Sequence, residues 1–150
     1  METLVLVAIV VILATFFLGS TIFAPSRTVE INPAADDVAV EEQEFTPRTL
    51  YKYNGFDLEQ IYIAVKGNVY DVSKSRQFYG PSGPYSNFAG HDASRGLAKN
   101  SFDESMVRDF GEPIDDLKDL TEAEWKALDG WEETFKSKYP KVGVLVEEKK

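Results

Sequence analysis

Residues 4–23, LVLVAIVVILATFFLGSTIF, run for twenty positions without a charged side chain. A segment like this has few options in water. A helix rises about 1.5 Å per residue, so twenty residues cross a hydrocarbon core of roughly 30 Å. A cleaved leader would instead start with basic residues, carry a shorter apolar stretch and end in a small-residue site. The start here is Met1-Glu2-Thr3, and cleavage after Ala24 would place Ile22 where a small residue belongs. Residues 1–25 are therefore expected to form an uncleaved, single-span transmembrane anchor. Glu2 precedes the span and Arg27 follows it, so the positive-inside tendency places the C-terminal part in the cytosol. None of the five asparagines beyond the span begins an N-x-Ser/Thr acceptor, which is compatible with that side.

The remainder is acidic. The chain has 16 Lys and Arg against 25 Asp and Glu, a net charge of -9, and only one of those acids, Glu2, lies before Arg27. Nucleic-acid phosphates would be repelled, so no nucleic-acid partner is expected, and a protein with a basic face suits better. There is no cysteine, which excludes disulfides and thiolate–metal chemistry, and His91 is the single histidine.

Residues 26–44 carry the pairs Asp36-Asp37 and Glu41-Glu42 without apolar periodicity, and read as an acidic flexible linker. A folded domain is expected over 45–147, with a charged tail at 148–150. Thr46 before Pro47 is an N-cap with proline at the first helical position, and Gly55 closes that helix. Residues 61–65, a turn at Lys66-Gly67-Asn68 and residues 69–72 form a hairpin signature. Residues 74–86 read as an ordered but irregular loop, and 92–98 as a short helix capped by Asp92. Thr121 and Glu124 make a capping box that opens a helix with Trp125, Leu128, Trp131 and Phe135 facing the core. Pro140 ends that helix, and 142–146 is a last strand. Short helices interleaved with short strands give an α+β domain.

The chemistry concentrates in Phe78-Tyr79-Gly80-Pro81-Ser82-Gly83-Pro84-Tyr85, with two phenols, two glycines and two prolines. Gly and Pro constrain the backbone to unusual dihedrals, so such a loop can hold its rings in set positions. It lacks Gly-Lys-Ser/Thr, which excludes a phosphate cradle. On composition alone, Tyr79 and Tyr85 read better as core filling than as a site.

Residues 77–85, QFYGPSGPY, and 87–98, NFAGHDASRGLA, resemble the signature of the membrane-associated progesterone receptor family. Phe45-Thr46, residues 69–72 and residues 138–143, KYPKVG, follow that family's order, so the resemblance covers about 45 to 146. With its N-terminal apolar run, the chain is similar to the fungal damage-response members. The resemblance implies a cytochrome b5-like haem-binding domain after a single N-terminal transmembrane helix. It implies haem b, ferric and five-coordinate, held by a tyrosinate oxygen. Tyr85 is the implied axial ligand of the iron, with Tyr139 as its rival. Tyr79, Asp92, Lys138 and Tyr139 are implied around the cofactor, with Asp92 as a pocket-shaping cap and Lys138 offsetting a propionate or phenolate charge. Phe78, Phe88 and Leu97 are the implied apolar wall, and His91 takes a surface or capping role.

The composition agrees as far as it reaches. One imidazole cannot supply bis-histidine ligation, which leaves His91 or a phenolate, with methionine a weaker donor. A phenolate favours ferric iron and a low potential, suited to holding, sensing or delivering haem. The family further implies a non-enzymatic regulator of a cytochrome P-450 monooxygenase at the endoplasmic reticulum membrane. That role lies in sterol (ergosterol) biosynthesis and damage resistance, with a haem-mediated homodimer among its assemblies. The competing functions are a b5-type electron carrier to those oxygenases and a steroid-binding adaptor.

Overall fold

The computed structural model describes residues 42–150. The expected anchor, and the linker up to residue 41, lie outside the described residues. Among those described, no helix is long and apolar enough to cross a membrane.

The domain is built on a four-stranded sheet of order β1-β4-β3-β2. Strand β1 (Glu44–Phe45) lies parallel to β4 (Lys141–Leu145), while the hairpin β2 (Tyr62–Val65) and β3 (Asn68–Asp71) supplies the antiparallel part. The two ends of the domain are thereby hydrogen-bonded to each other, and β1 takes in Glu44, one residue before the expected start. Beyond β4, Glu147 accepts from the Ile114 amide at 2.7 Å and Glu148 from Arg48 at 3.1 Å, so the acidic end folds back onto the domain.

The hairpin turn is shorter than expected. Val65 pairs with Asn68, leaving Lys66 and Gly67 as a two-residue loop at φ 50° and 79°. Two positive φ values match the right-handed strand twist, and Asn68 becomes the first residue of β3. Helix α1 (Pro47–Tyr51) starts at the Thr46 cap but stops well before Gly55, which sits in a later turn at φ 79°.

The expected irregular loop contains a 3-10 turn (Ser73–Ser75), helix α2 (Arg76–Tyr79) and a further 3-10 turn (Ser86–Phe88). A four-residue helix is too short to display a 3.6-residue period, so composition concealed it. Helix α3 (Ser94–Lys99) is followed by Asn100 in the left-handed conformation. Helix α4 (Glu122–Lys138) begins with the Thr121–Glu124 capping box. On it Leu128 and Phe135 are buried and Trp131 packs partly against the core, but Trp125 is 37% exposed. The inward stripe thus starts one turn later than the spacing suggests, since an indole tolerates a half-wet position.

Strand alternation sends Ile63, Val65 and Tyr70 to a large core with Phe88, Leu97, Leu128 and Phe135. Ala64 and Val69 join a smaller one with Phe45, Leu50 and Leu145.

Candidate functional site

Helix α2 ends where the Gly80 amide donates to the Arg76 carbonyl at 2.8 Å. The chain then doubles back: Gly83 donates to Gly80 and Tyr85 to Phe78, at 2.8 and 2.9 Å. A Cβ on Gly80 would stand 2.5 Å from the Arg76 oxygen, and one on Gly83 would collide with the Phe78 carbonyl. Gly80 has an ordinary φ of -68°, which corrects the expectation of unusual dihedrals. Lack of room, not backbone angle, demands glycine there.

This turn brings the two phenols together. The Tyr79 and Tyr85 rings lie 6.0 Å apart. Tyr85 also has two near-parallel neighbours, Phe102 at 4.2 Å and Phe78 at 6.2 Å. Tyr139, the residue that caps α4, is the third phenol; it is buried, and its hydroxyl lies 2.8 Å from Ser75 Oγ. The Tyr79 pKa is raised, first by burial and then by the fields of Tyr139 and Tyr85, so the three tyrosines share one neighbourhood. Lys138 joins it, with Nζ 5.4 Å from the centroid of the Tyr139 ring. Among the described residues neither the Tyr79 nor the Tyr85 hydroxyl has a hydrogen-bond partner.

Asp92 is not part of that group. Its Oδ1 accepts from the Ser94 amide at 3.0 Å and from Ser94 Oγ at 2.6 Å, and Ser94 Oγ in turn accepts from the Lys66 amide at 2.9 Å. The carboxylate therefore pins the start of α3 to the hairpin turn, although Ala93 rather than Asp92 occupies the formal cap position. Burial raises the pKa of Asp92, while the two Ser94 bonds act in the opposite sense. Asp92 lines a different cleft, with Pro47, His91, Arg95, Arg108 and Phe110. His91 is half-buried there: its Nδ1–H donates to the Ala89 carbonyl at 2.9 Å, it meets Tyr51 edge-on at 5.6 Å, and burial lowers its pKa.

Phe88 and Leu97, expected as pocket wall, are core residues at 1% and 4% exposure. The ring stacked on Tyr85 is Phe102, which Phe88 backs at 5.4 Å. Sequence reasoning missed Phe102 and Ser75. Phe102 stands in a polar stretch seventeen positions from Tyr85, its one signal being an aromatic ring between Ser101 and Asp103; Ser75 had none.

The family profile described as "Cytochrome b5-like Heme/Steroid binding domain" matches residues 46–146. The chain belongs to this family. Its relatives place it in the membrane-associated progesterone receptor group. "Cytochrome P450 regulator dap1" of Schizosaccharomyces pombe is 50% identical over 107 residues, which are 71% of this chain and 64% of that protein. "Membrane-associated progesterone receptor component 2" of Homo sapiens is 42% identical over 117 residues, 78% of this chain and 51% of that protein. The chain thus spans between half and two thirds of the length of these relatives. The solution structure of a putative steroid-binding protein from Arabidopsis is 46% identical with a TM-score of 0.62, covering 71% of this chain and 99% of that one. The α+β domain therefore has the cytochrome b5-like fold of the family.

The described residues also fit haem. They offer Tyr85 between flat aromatic neighbours, its hydroxyl without a hydrogen-bond partner, and Lys138 beside the third phenol, Tyr139.

Proposed function

We propose that the domain holds ferric haem b with Tyr85 as its axial ligand. On this reading the chain is anchored by a single span in the endoplasmic reticulum membrane, faces the cytosol, and regulates a cytochrome P-450 monooxygenase of sterol synthesis. The observation that carries the ligand choice is the unequal state of three neighbouring phenols. Tyr139 already shares its hydroxyl with Ser75 in a buried bond. Tyr79 is opposed as an anion by burial and by two phenol neighbours. Tyr85 has a hydroxyl with no hydrogen-bond partner among the described residues, so its oxygen can hold ferric iron, with the phenol proton released to solvent, without giving up a hydrogen bond.

Phe78 and Phe102 supply apolar faces, and Lys138 stands near enough to offset negative charge. Bound haem would supply a low-potential ferric centre, better suited to being held or handed on than to rapid electron passage. The domain is given no catalytic residue of its own. Anchoring in one membrane with the oxygenase raises their effective concentration without new contacts. The regulatory part of the reading is supported by the 50% identity to the S. pombe cytochrome P450 regulator.

Hemin titration followed by absorption tests the ligand. Tyr85→Phe should lose the phenolate-to-iron charge-transfer band while far-UV circular dichroism stays unchanged. Retention of the band in Tyr85→Phe with its loss in Tyr139→Phe moves the ligand to Tyr139. A six-coordinate nitrogen-ligated spectrum favours an electron carrier, and no hemin uptake favours a steroid-binding adaptor.

A further inference from the structure

Tyr85 is fixed at its backbone and loose at its tip. Its amide donates to the Phe78 carbonyl at 2.9 Å, while its hydroxyl has no hydrogen-bond partner among the described residues. Rotation of the ring about the Cβ–Cγ bond is then the motion left to it, and that torsion has only a broad preference of its own. The neighbour that restricts it is Phe102, with centroids 4.2 Å and planes 24° apart, whereas Phe78 and Tyr79 stand off at 6.2 and 6.0 Å. We infer that Phe102 is a positioning residue for the iron ligand: its face, laid on Tyr85, sets the rotation of the phenol ring and so the direction in which the oxygen offers electrons to the metal. The inference rests on the reading that Tyr85 holds haem iron, and adds what holds Tyr85.

The chain takes trouble to place this ring. Helix α3 ends at Asn100 in the left-handed conformation, φ 48°, and the Ser101 amide donates to the Gly96 carbonyl at 2.9 Å, which turns the next residue back over the helix. A Cβ on Gly96 would stand 2.5 Å from the Phe88 ring and 2.7 Å from the Ser101 carbonyl, so the return path has no room for a larger residue. Asn87 Nδ2 then donates to the Phe102 carbonyl at 2.8 Å. Asn87 follows Tyr85 by two residues, so one short turn carries both the phenol and the strap on its neighbour. Behind Phe102 stands the buried Phe88 ring at 5.4 Å. Phe102 itself stays only partly buried, so covering apolar area does not by itself account for the strap.

Ring rotation matters because the Cβ–Cγ and Cζ–Oη bonds of tyrosine are collinear. Turning the ring about the first turns the oxygen lone pair of the π system about the second. Overlap of that lone pair with iron orbitals depends on this angle, so the charge-transfer band and the symmetry of the ferric spin signal report it. A ring already held at one angle also loses less freedom when it ligates.

The test uses the full-length chain in neutral detergent, haem-free and hemin-loaded. In the haem-free protein the Tyr85 ring protons, identified by their absence in Tyr85→Phe, should resonate upfield of ordinary tyrosine and move back in Phe102→Leu. With hemin, Phe102→Leu should shift and broaden the phenolate-to-iron band, alter the rhombicity of the high-spin ferric resonance and release hemin about fivefold faster, circular dichroism staying unchanged. Phe102→Trp keeps a flat face and should retain the wild-type band. Asn87→Asp preserves shape but replaces the donor, and should follow Phe102→Leu in direction. Wild-type ring shifts, band and release rate in Phe102→Leu overturn the positioning role and leave the proposed function standing. Equal losses in Phe102→Leu and Phe102→Trp overturn it as well, since volume rather than a ring face would then be what counts. A wild-type protein that takes up hemin without a phenolate band removes the Tyr85 reading and this inference together.

Discussion

Removing the Tyr139 hydroxyl tests how the third phenol is used. Tyr139 is 6% exposed and Ser75 3%, and their hydroxyls lie 2.8 Å apart, so water cannot substitute for either partner. A neutral hydrogen bond contributes about 1 kcal/mol net, whereas a buried polar group stripped of its partner costs about 1–3 kcal/mol. Tyr139→Phe leaves the Ser75 hydroxyl orphaned, and Ser75→Ala orphans the phenol; each is expected to cost about 2 kcal/mol. The double variant removes both polar groups and should cost about 2 kcal/mol rather than the sum of about 4. Urea unfolding of the haem-free protein, followed by Trp125 and Trp131 emission, reads this directly. With a slope of about 1.5 kcal/mol/M, each single variant lowers the midpoint by about 1.3 M. Additivity of the two substitutions within about 0.5 kcal/mol would show that the bond carries no energy. Tyr139 would then be as free to bind iron as Tyr85, and the ligand assignment would lose its support.

Two further outcomes follow from other buried groups. The Tyr70 hydroxyl is buried without a hydrogen-bond partner, so Tyr70→Phe should leave stability unchanged or raise it by about 1 kcal/mol, seen as a higher thermal midpoint. Burial holds the His91 pKa below its ordinary 6.5, so the unfolded chain takes up the proton first; the stabilisation is whole above 6.5 and is lost as pH falls through the depressed value. Urea midpoints measured from pH 7.5 to 5 should fall in the wild type and show a shallower slope in His91→Gln, and equal slopes would contradict this.

What could be read in advance was local. Thr46 and Thr121 cap their helices because a side chain reaches an amide three residues on, and three residues are visible in a line of sequence. The hairpin showed for the same reason, though assigning Asn68 to the turn needed the strand register. Helix α2 was invisible because four residues hold no period, and Trp125 misled because spacing alone does not say where the core ends. At the site, Tyr79 and Tyr85 were legible as a Gly/Pro-braced pair. The Phe102 ring against Tyr85 and the Ser75 hydroxyl on Tyr139 were not.

The amino-acid order by itself determined the caps, the hairpin, the phenol-bearing turn and, through its long matching segments, the family. Those features depend on contacts within a few residues or on patterns retained along the chain. Only the tertiary structure decided which of the three phenols, Tyr139, shares its hydroxyl with Ser75. It alone joined β1 to β4 across about a hundred residues, set Asp92 beside α3 instead of the phenols, and left Phe56 in solvent. Each of these depends on which distant surfaces pack together, and burial, the quantity that prices an unpaired hydroxyl or an exposed ring, exists only once they have.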